Sequence, residues 1–143
     1  MREAALQNII SQLQLGDDDT PSAGQPSETE NLLSDTDRLF LNQLILAVKN
    51  EMNRGNASIE TLASEMCVSS ASLNRKVKQI TGITAQQYVM RIRMEYGRQM
   101  LLHSPELSIT EISGRCGFED STSFSRAFRR SFDVSPTQYR EQQ

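Results

Sequence analysis

From residue 37 onward, apolar side chains recur at the three- and four-residue intervals of helices, with Gly, Ser and Pro at the breaks and no alternating strand pattern. Leu39, Phe40, Leu44, Ile45, Val48 and Met52 form one face of a helix that ends around Asn53-Arg54-Gly55-Asn56. A short helix is predicted over Ile59–Met66, followed by a turn at Cys67-Val68-Ser69 and a helix from about Ser70 to Ile80 that stops at Thr81-Gly82. Thr84-Ala85-Gln86-Gln87 has capping-box spacing and opens a long helix to about Leu102. Ser108-Ile109-Thr110-Glu111 is a second such box, opening a short helix that stops near Cys116-Gly117. The next helix covers roughly Ser121 to Ser131, and Ser135-Pro136-Thr137-Gln138 is a third box, with Pro where its missing N–H costs nothing.

The first 36 residues read differently. Leu6, Ile9, Ile10 and Leu13 recur at helical spacing, giving an amphipathic helix over residues 1–15 that is too short to be stable alone in water. It is either the end of an upstream domain or a segment that pairs with another chain. Residues 16–36 hold two of the four prolines and a run of three Asp, with few apolar residues to offset ordering entropy, and read as a flexible acidic linker.

Composition narrows the function classes. The two cysteines form no CxxC pair, and with the single His103 they cannot assemble a four-ligand zinc site, so neither a metal nor another cofactor is expected. No apolar run approaches the roughly 20 residues of a membrane span. The amino terminus lacks a secretory apolar stretch, so a reducing cytoplasm is the expected compartment. There is no phosphate-cradling glycine loop and no nucleophile elbow, so catalysis is not expected. Cys67 and Cys116 read as small buried hydrophobes, and His103 as a residue at a helix end.

The net charge of −3 conceals a split: residues 1–66 carry 4 basic and 11 acidic side chains, and residues 67–143 carry 11 basic and 7 acidic ones. A basic half offers the local surface that phosphate attraction needs, and equally an ordinary solvated face.

An internal repeat separates these readings. At an offset of 50, Ile59 matches Ile109, Leu62 matches Ile112 and Val68 matches Phe118. At an offset of 51, Leu73 matches Phe124, Arg75 matches Arg126, Val77 matches Phe128, Lys78 matches Arg129, Thr84 matches Ser135 and Tyr88 matches Tyr139. Each copy is a short helix, a tight turn and a second helix, a helix-turn-helix present twice. On the second helix of the first copy, Leu73, Val77 and Ile80 share one face, and Ala71, Arg75 and Lys78 lie opposite, flanked by Ser72, Asn74 and Gln79. In the second copy Phe124, Phe128 and Ser131 point inward; Thr122, Arg126 and Arg129 point outward, flanked by Ser123, Ser125 and Arg130. Neither outward set contains an acid. Small polar residues let backbone approach base edges, and Arg and Asn make the paired hydrogen bonds that distinguish guanine and adenine. The aromatic residues Tyr88, Tyr139, Phe118, Phe128 and Phe132 read as core. Arg91, Arg93, Arg98, Arg115 and Arg140 are open between phosphate contact and surface ion pairing, and a helical protein-interaction module binding an acidic protein partner remains the alternative class.

Over residues 37–142 the chain resembles the bacterial AraC/XylS-type transcription regulators. The carrying stretches are Ile59-Glu60-Thr61-Leu62-Ala63, Leu73-Asn74-Arg75-Lys76-Val77-Lys78 and Gly82-Ile83-Thr84, and above all Ile109 to Arg140, with GFED, FSRAFRR and SP..YR in order. The resemblance implies an all-α fold of two homeodomain-like helix-turn-helix subdomains, 59–80 and 109–131, joined by a connector helix over 85–102. It implies that helices 71–80 and 121–131 enter successive major-groove segments of double-stranded DNA. Base-contacting positions then fall on Ala71, Ser72, Asn74, Arg75 and Lys78, and on Ser121, Thr122, Ser123, Ser125 and Arg126. Independently of the resemblance, the residues offered as phosphate contacts are Arg129, Arg130, Arg93, Ser108 and Arg140. A connector of 18 residues spans about 27 Å, against about 34 Å between adjacent major-groove faces, so with the subdomain widths added it can serve both.

Two positions depart from the family pattern: Cys67 where it favours glycine, and Gly97 where it favours alanine. Gly97 lowers helix propensity by about 1 kcal/mol, so Gly97→Ala is expected to raise the melting temperature if the site is uncrowded. Residues 1–36 are too short and polar to form a regulatory domain. The reading is the carboxy-terminal output segment of a longer regulator, with a two-component protein carrying an upstream receiver as one form. A stand-alone regulator is the alternative. Partner classes beside DNA are RNA polymerase, an upstream sensor or receiver domain, and a second copy joined through the amino-terminal helix.

Overall fold

A computed structural model describes residues 3–13, 34–55 and 57–142, all of whose regular elements are helices. They are α1 (Glu3–Gln12), α2 (Asp35–Arg54), α3 (Ile59–Glu65), α4 (Ser70–Thr81), α5 (Ala85–His103), α6 (Ile109–Arg115), α7 (Ser121–Phe132) and α8 (Pro136–Glu141). Most of the expected acidic linker lies outside the described residues. Its last residues belong to α2, which Ser34 caps by accepting the Asp37 N–H at 3.0 Å.

Local signals set the helix ends. Ser58, Ser69, Thr84, Ser108 and Ser135 each accept a backbone N–H from three residues on, and reciprocal capping boxes form at Thr84/Gln87, Ser108/Glu111 and Ser135/Gln138. α2 and α4 stop at Gly55 (φ 74°) and Gly82 (φ 88°), left-handed positions that glycine occupies without Cβ strain.

The inward face of α2 differs from expectation. Leu41, Leu44, Ile45, Val48 and Met52 are buried, whereas Leu39 is 58% exposed. Leu41 lies three and four residues before Leu44 and Ile45 and shares their stripe; Leu39, two residues further back, falls on the opposite side.

Packing follows the repeat. The first core is built from α2, α3, α4 and the beginning of α5, with Leu62, Leu73, Val77, Tyr88 and Ile92 fully buried in it. The second is built from α5 through α8, around Met94, Ile112, Phe124 and Phe128. α5 therefore closes the first unit and opens the second, and Tyr96 packs against both cores. Phe124 and Phe128 (centroids 5.7 Å apart), Phe132 (4.6 Å from Phe128) and Tyr139 (5.6 Å from Phe128) form the aromatic interior of the second unit. α1 lies against α2 and α5, with Ala4, Ala5, Ile9 and Leu13 buried in the first core and Asn8 Nδ2 donating to Asn42 Oδ1 at 2.9 Å. Of the expected stripe, Ile9 and Leu13 thus pack within this chain, while Leu6 and Ile10 are half-buried.

Candidate nucleic-acid interface

The second helices of the two helix-turn-helix copies, α4 and α7, bury their predicted inward residues: Leu73, Val77 and Ile80 in one, Phe124 and Phe128 in the other, with Ser131 half-buried. Ala71, Arg75 and Lys78 are exposed on α4, and Thr122, Ser123, Arg126, Arg129 and Arg130 on α7, while Ser72, Ser121 and Ser125 are half-exposed. Arg75 and Arg126 therefore occupy matching outward positions on matching helices. Beside Arg75 lies an open groove of about 590 Å³ that reaches from α4 to Phe40 of α2 and Val68 in the turn, with Ser72, Lys78 and Gln79 on its wall. Arg75 Nη2 donates to Ser72 Oγ at 3.3 Å, which leans the guanidinium toward the amino end of α4.

The helix starts differ electrostatically. α4 is capped by the neutral Ser69 and α7 by Asp120, whose Oδ1 accepts the Ser123 N–H at 2.7 Å. That backbone hydrogen bond holds the Asp120 carboxyl below its usual range, with Arg126 adding a smaller pull in the same direction. The N-cap of α7 is thus an anion and that of α4 a neutral hydroxyl, while the carboxylate near α4, Asp37 of α2, pairs with Lys76 at 3.7 Å.

Several expected contacts are committed elsewhere. Asn74 is exposed, but its Oδ1 accepts the Ala85 N–H at 2.9 Å, so the amide oxygen needed for paired adenine contacts is turned to the start of α5. Arg93 Nε and Nη2 donate to the carbonyls of Cys116 and Gly117 at 2.8 and 3.0 Å, and its guanidinium lies 4.2 Å from the Phe118 ring centroid. Arg140 donates to the carbonyls of Leu107 (2.8 Å), Ser104 (3.1 Å) and Leu101 (3.4 Å), tying α8 to the carboxy end of α5. Both arginines are internal braces rather than surface cations. Ser108 is exposed, but its N–H is taken by Glu111 Oε1 at 2.8 Å, which places a carboxylate where a phosphate was expected. That bond lowers the Glu111 carboxyl below its ordinary range.

The two cysteines part company. Cys116 is buried, and burial pushes its thiol up to about 12, whereas Cys67 is exposed in the first turn, with φ 61°. The burial expected of Cys67 fails because the residue must take the left-handed conformation of a helix-turn-helix turn, which aims the side chain outward. Among the described residues no group of three or more His, Cys, Asp or Glu is placed to hold a metal ion, and no helix is long and apolar enough to cross a membrane.

A family model described as a helix-turn-helix domain matches residues 62–142, more than half of the chain and both reading helices. The chain belongs to the AraC/XylS-type transcription regulators. Among relatives of this family, it is 39% identical over 112 residues to the HTH-type transcriptional activator RhaS of Escherichia coli O139:H28 (strain E24377A / ETEC), covering 78% of this chain and 39% of that protein. The chain thus spans about two-fifths of the length of the curated relatives it matches. Among solved structures, the carboxy-terminal domain of AraT, a response regulator from Geobacillus stearothermophilus, is 32% identical with a TM-score of 0.59, covering 70% of this chain and 85% of that one. The DNA-binding domain of AdpA, a global transcriptional factor in complex with a target DNA, is 26% identical with a TM-score of 0.61, covering 69% and 87%. The AraC/XylS-type assignment makes this chain a DNA-binding transcription regulator with an all-α, helix-turn-helix fold.

Proposed function

We propose that one chain reads two successive major-groove segments of duplex DNA, with α4 in one and α7 in the next. The observation that carries this reading is the matched pair of exposed arginines, Arg75 and Arg126, on outward faces that lack acids within the helices themselves. Base contacts fall to Ala71, Ser72, Arg75 and Lys78 on α4, and to Ser121, Thr122, Ser123, Ser125 and Arg126 on α7. Arg129 and Arg130, exposed in the last turns of α7, take phosphates. Asn74, Arg93, Arg140 and Ser108 leave this set because their hydrogen bonds hold the scaffold. The two helices carry different side chains, so the site they select is non-palindromic.

The segment acts as the output portion of a longer regulator. Its share of the relatives' length and its likeness to the carboxy-terminal domain of a response regulator support that reading. A receiver or sensor upstream and RNA polymerase downstream of DNA binding are the partners it implies, and a cytoplasmic setting follows from the same role.

A titration of duplex DNA across a salt series tests the DNA reading. Releasing counterions from several phosphates lowers affinity by about a hundredfold between roughly 50 and 200 mM salt. Affinity that is flat with salt, or tighter binding to an acidic protein than to any duplex, contradicts it.

A further inference from the structure

Glu95, in the middle of α5, is a carboxylate only 2% exposed. Arg98 Nε donates to its Oε1 at 2.9 Å, and Arg91 Nη2 lies 3.4 Å from its Oε2. Each arginine reaches onward to a different element. Arg98 Nη1 donates to the Tyr139 hydroxyl of α8 at 3.1 Å. The Arg91 guanidinium lies 5.0 Å from the ring centroid of Phe132, the last residue of α7, and that ring packs 4.6 Å from Phe128 inside the second core. One carboxylate therefore joins the connector helix to the far end of the second reading helix and to the helix that closes behind it.

Stability does not account for this cluster. Desolvating the Glu95 carboxylate offsets much of its attraction to the two partly exposed arginines, and apolar replacements of such clusters are often neutral or stabilising. Here a further cost is visible, since Arg91 Nε is buried without a hydrogen-bond partner. What planar guanidinium groups on a fixed carboxylate supply is direction. The first reading helix has its own joint to the same connector, the Asn74 Oδ1 bond to Ala85 N–H at the first residue of α5. Besides their apolar packing, α4 thus has a polar joint to α5 through Asn74, and the end of α7 meets α5 through the Arg91 arm of the Glu95 cluster.

We propose that Glu95 is a positioning residue that sets the separation and helical phase at which the two half-sites are read. The proposal rests on the two-groove reading above. It makes spacing specificity a property of a buried residue far from any base edge, because tilting α7 about its rear end moves Arg126 relative to Arg75.

The test compares wild type with Glu95→Gln, which keeps size but removes the charge and replaces one of the two acceptor oxygens with an NH2 donor, so that it can no longer accept from both arginines. Binding is measured to a duplex carrying the site selected from a random pool, to the same site with one base pair inserted or removed between half-sites, and to a single half-site. One base pair shifts the second half-site by about 3.4 Å and about 35°. Wild type is expected to prefer its own spacing by about tenfold or more, and Glu95→Gln to narrow that preference to about threefold with unchanged single-half-site affinity. Retention of the wild-type spacing profile by Glu95→Gln overturns the proposal, as does an equal loss on every duplex including the half-site, the signature of a merely structural role. Arg98→Lys, which keeps the charge but loses the fork, carries the same comparison if Glu95→Gln does not fold by circular dichroism. Wild type that binds no duplex in a salt-dependent way fails the two-groove reading itself; wild type that binds DNA without any spacing preference fails this proposal alone.

Discussion

Cys67 and Gly117 occupy the same turn position in the two copies, both left-handed, at φ 61° and 87°. At the ends of the reading helices the roles reverse: Gly82 closes α4 at φ 88°, and Asp133 closes α7 at φ 69°. Each copy therefore has one glycine and one residue with a Cβ at its two left-handed positions. Aspartate tolerates this region better than most residues, and cysteine has no such compensation. Cys67→Gly relieves a strain of about 1–2 kcal/mol, less the entropy that glycine adds to the unfolded chain, for a net gain of about 1 kcal/mol. Urea unfolding is expected to show a higher midpoint at unchanged slope; a lower midpoint contradicts the strain. At Gly117 a Cβ would stand 3.4 Å from the Arg93 Nη2 that braces the turn, so the second copy combines its glycine with a clamp.

Between elements, the contact that decides most is the one where α5 meets α7. Helix propensity alone favours alanine at Gly97, but a Cβ there would lie 2.9 Å from Phe124 Cε1 and Cζ and 3.1 Å from Cys116 Sγ. Phe124 is fully buried and held between Phe118 and Phe128, so it has little room to give way. Overpacking of this kind costs about 1–3 kcal/mol, against about 1 kcal/mol of propensity gained. Gly97→Ala is therefore expected to lower the melting temperature, the opposite of what propensity implies; a rise would show that Phe124 can shift. The case marks where sequence stops being informative. Helix starts at Thr84, Ser108 and Ser135 were readable because a capping box closes within four residues, and the faces of α4 and α7 because burial follows a local period. The crowding at Gly97, the Arg93 brace on Cys116 and Gly117, the Arg140 ties to α5 and the Asn74 joint all involve partners distant in sequence. Side-chain type gave no sign of them. A basic residue near a reading helix looks the same on paper whether it faces phosphate or a carbonyl.

At the scale of the molecule, one helix shared between two units joins the duplicated motif into a single body. α5 contributes to both cores, so the units cannot rotate freely without disturbing Tyr96 and the aromatic interior behind α7. The family assignment gives DNA as the ligand class, and the residue-level contacts are proposed from the side chains that α4 and α7 turn outward. Recovering bound sequences from a random duplex pool, with wild type, Arg75→Ala and Arg126→Ala in parallel, tests this account most directly. Wild type is expected to select two unlike half-sites about one helical turn apart, and each variant to lose base preference within one half-site only, by about 1–3 kcal/mol at the position its arginine reads. Two variants that alter the same half-site, or that weaken every sequence equally with preferences intact, would contradict it.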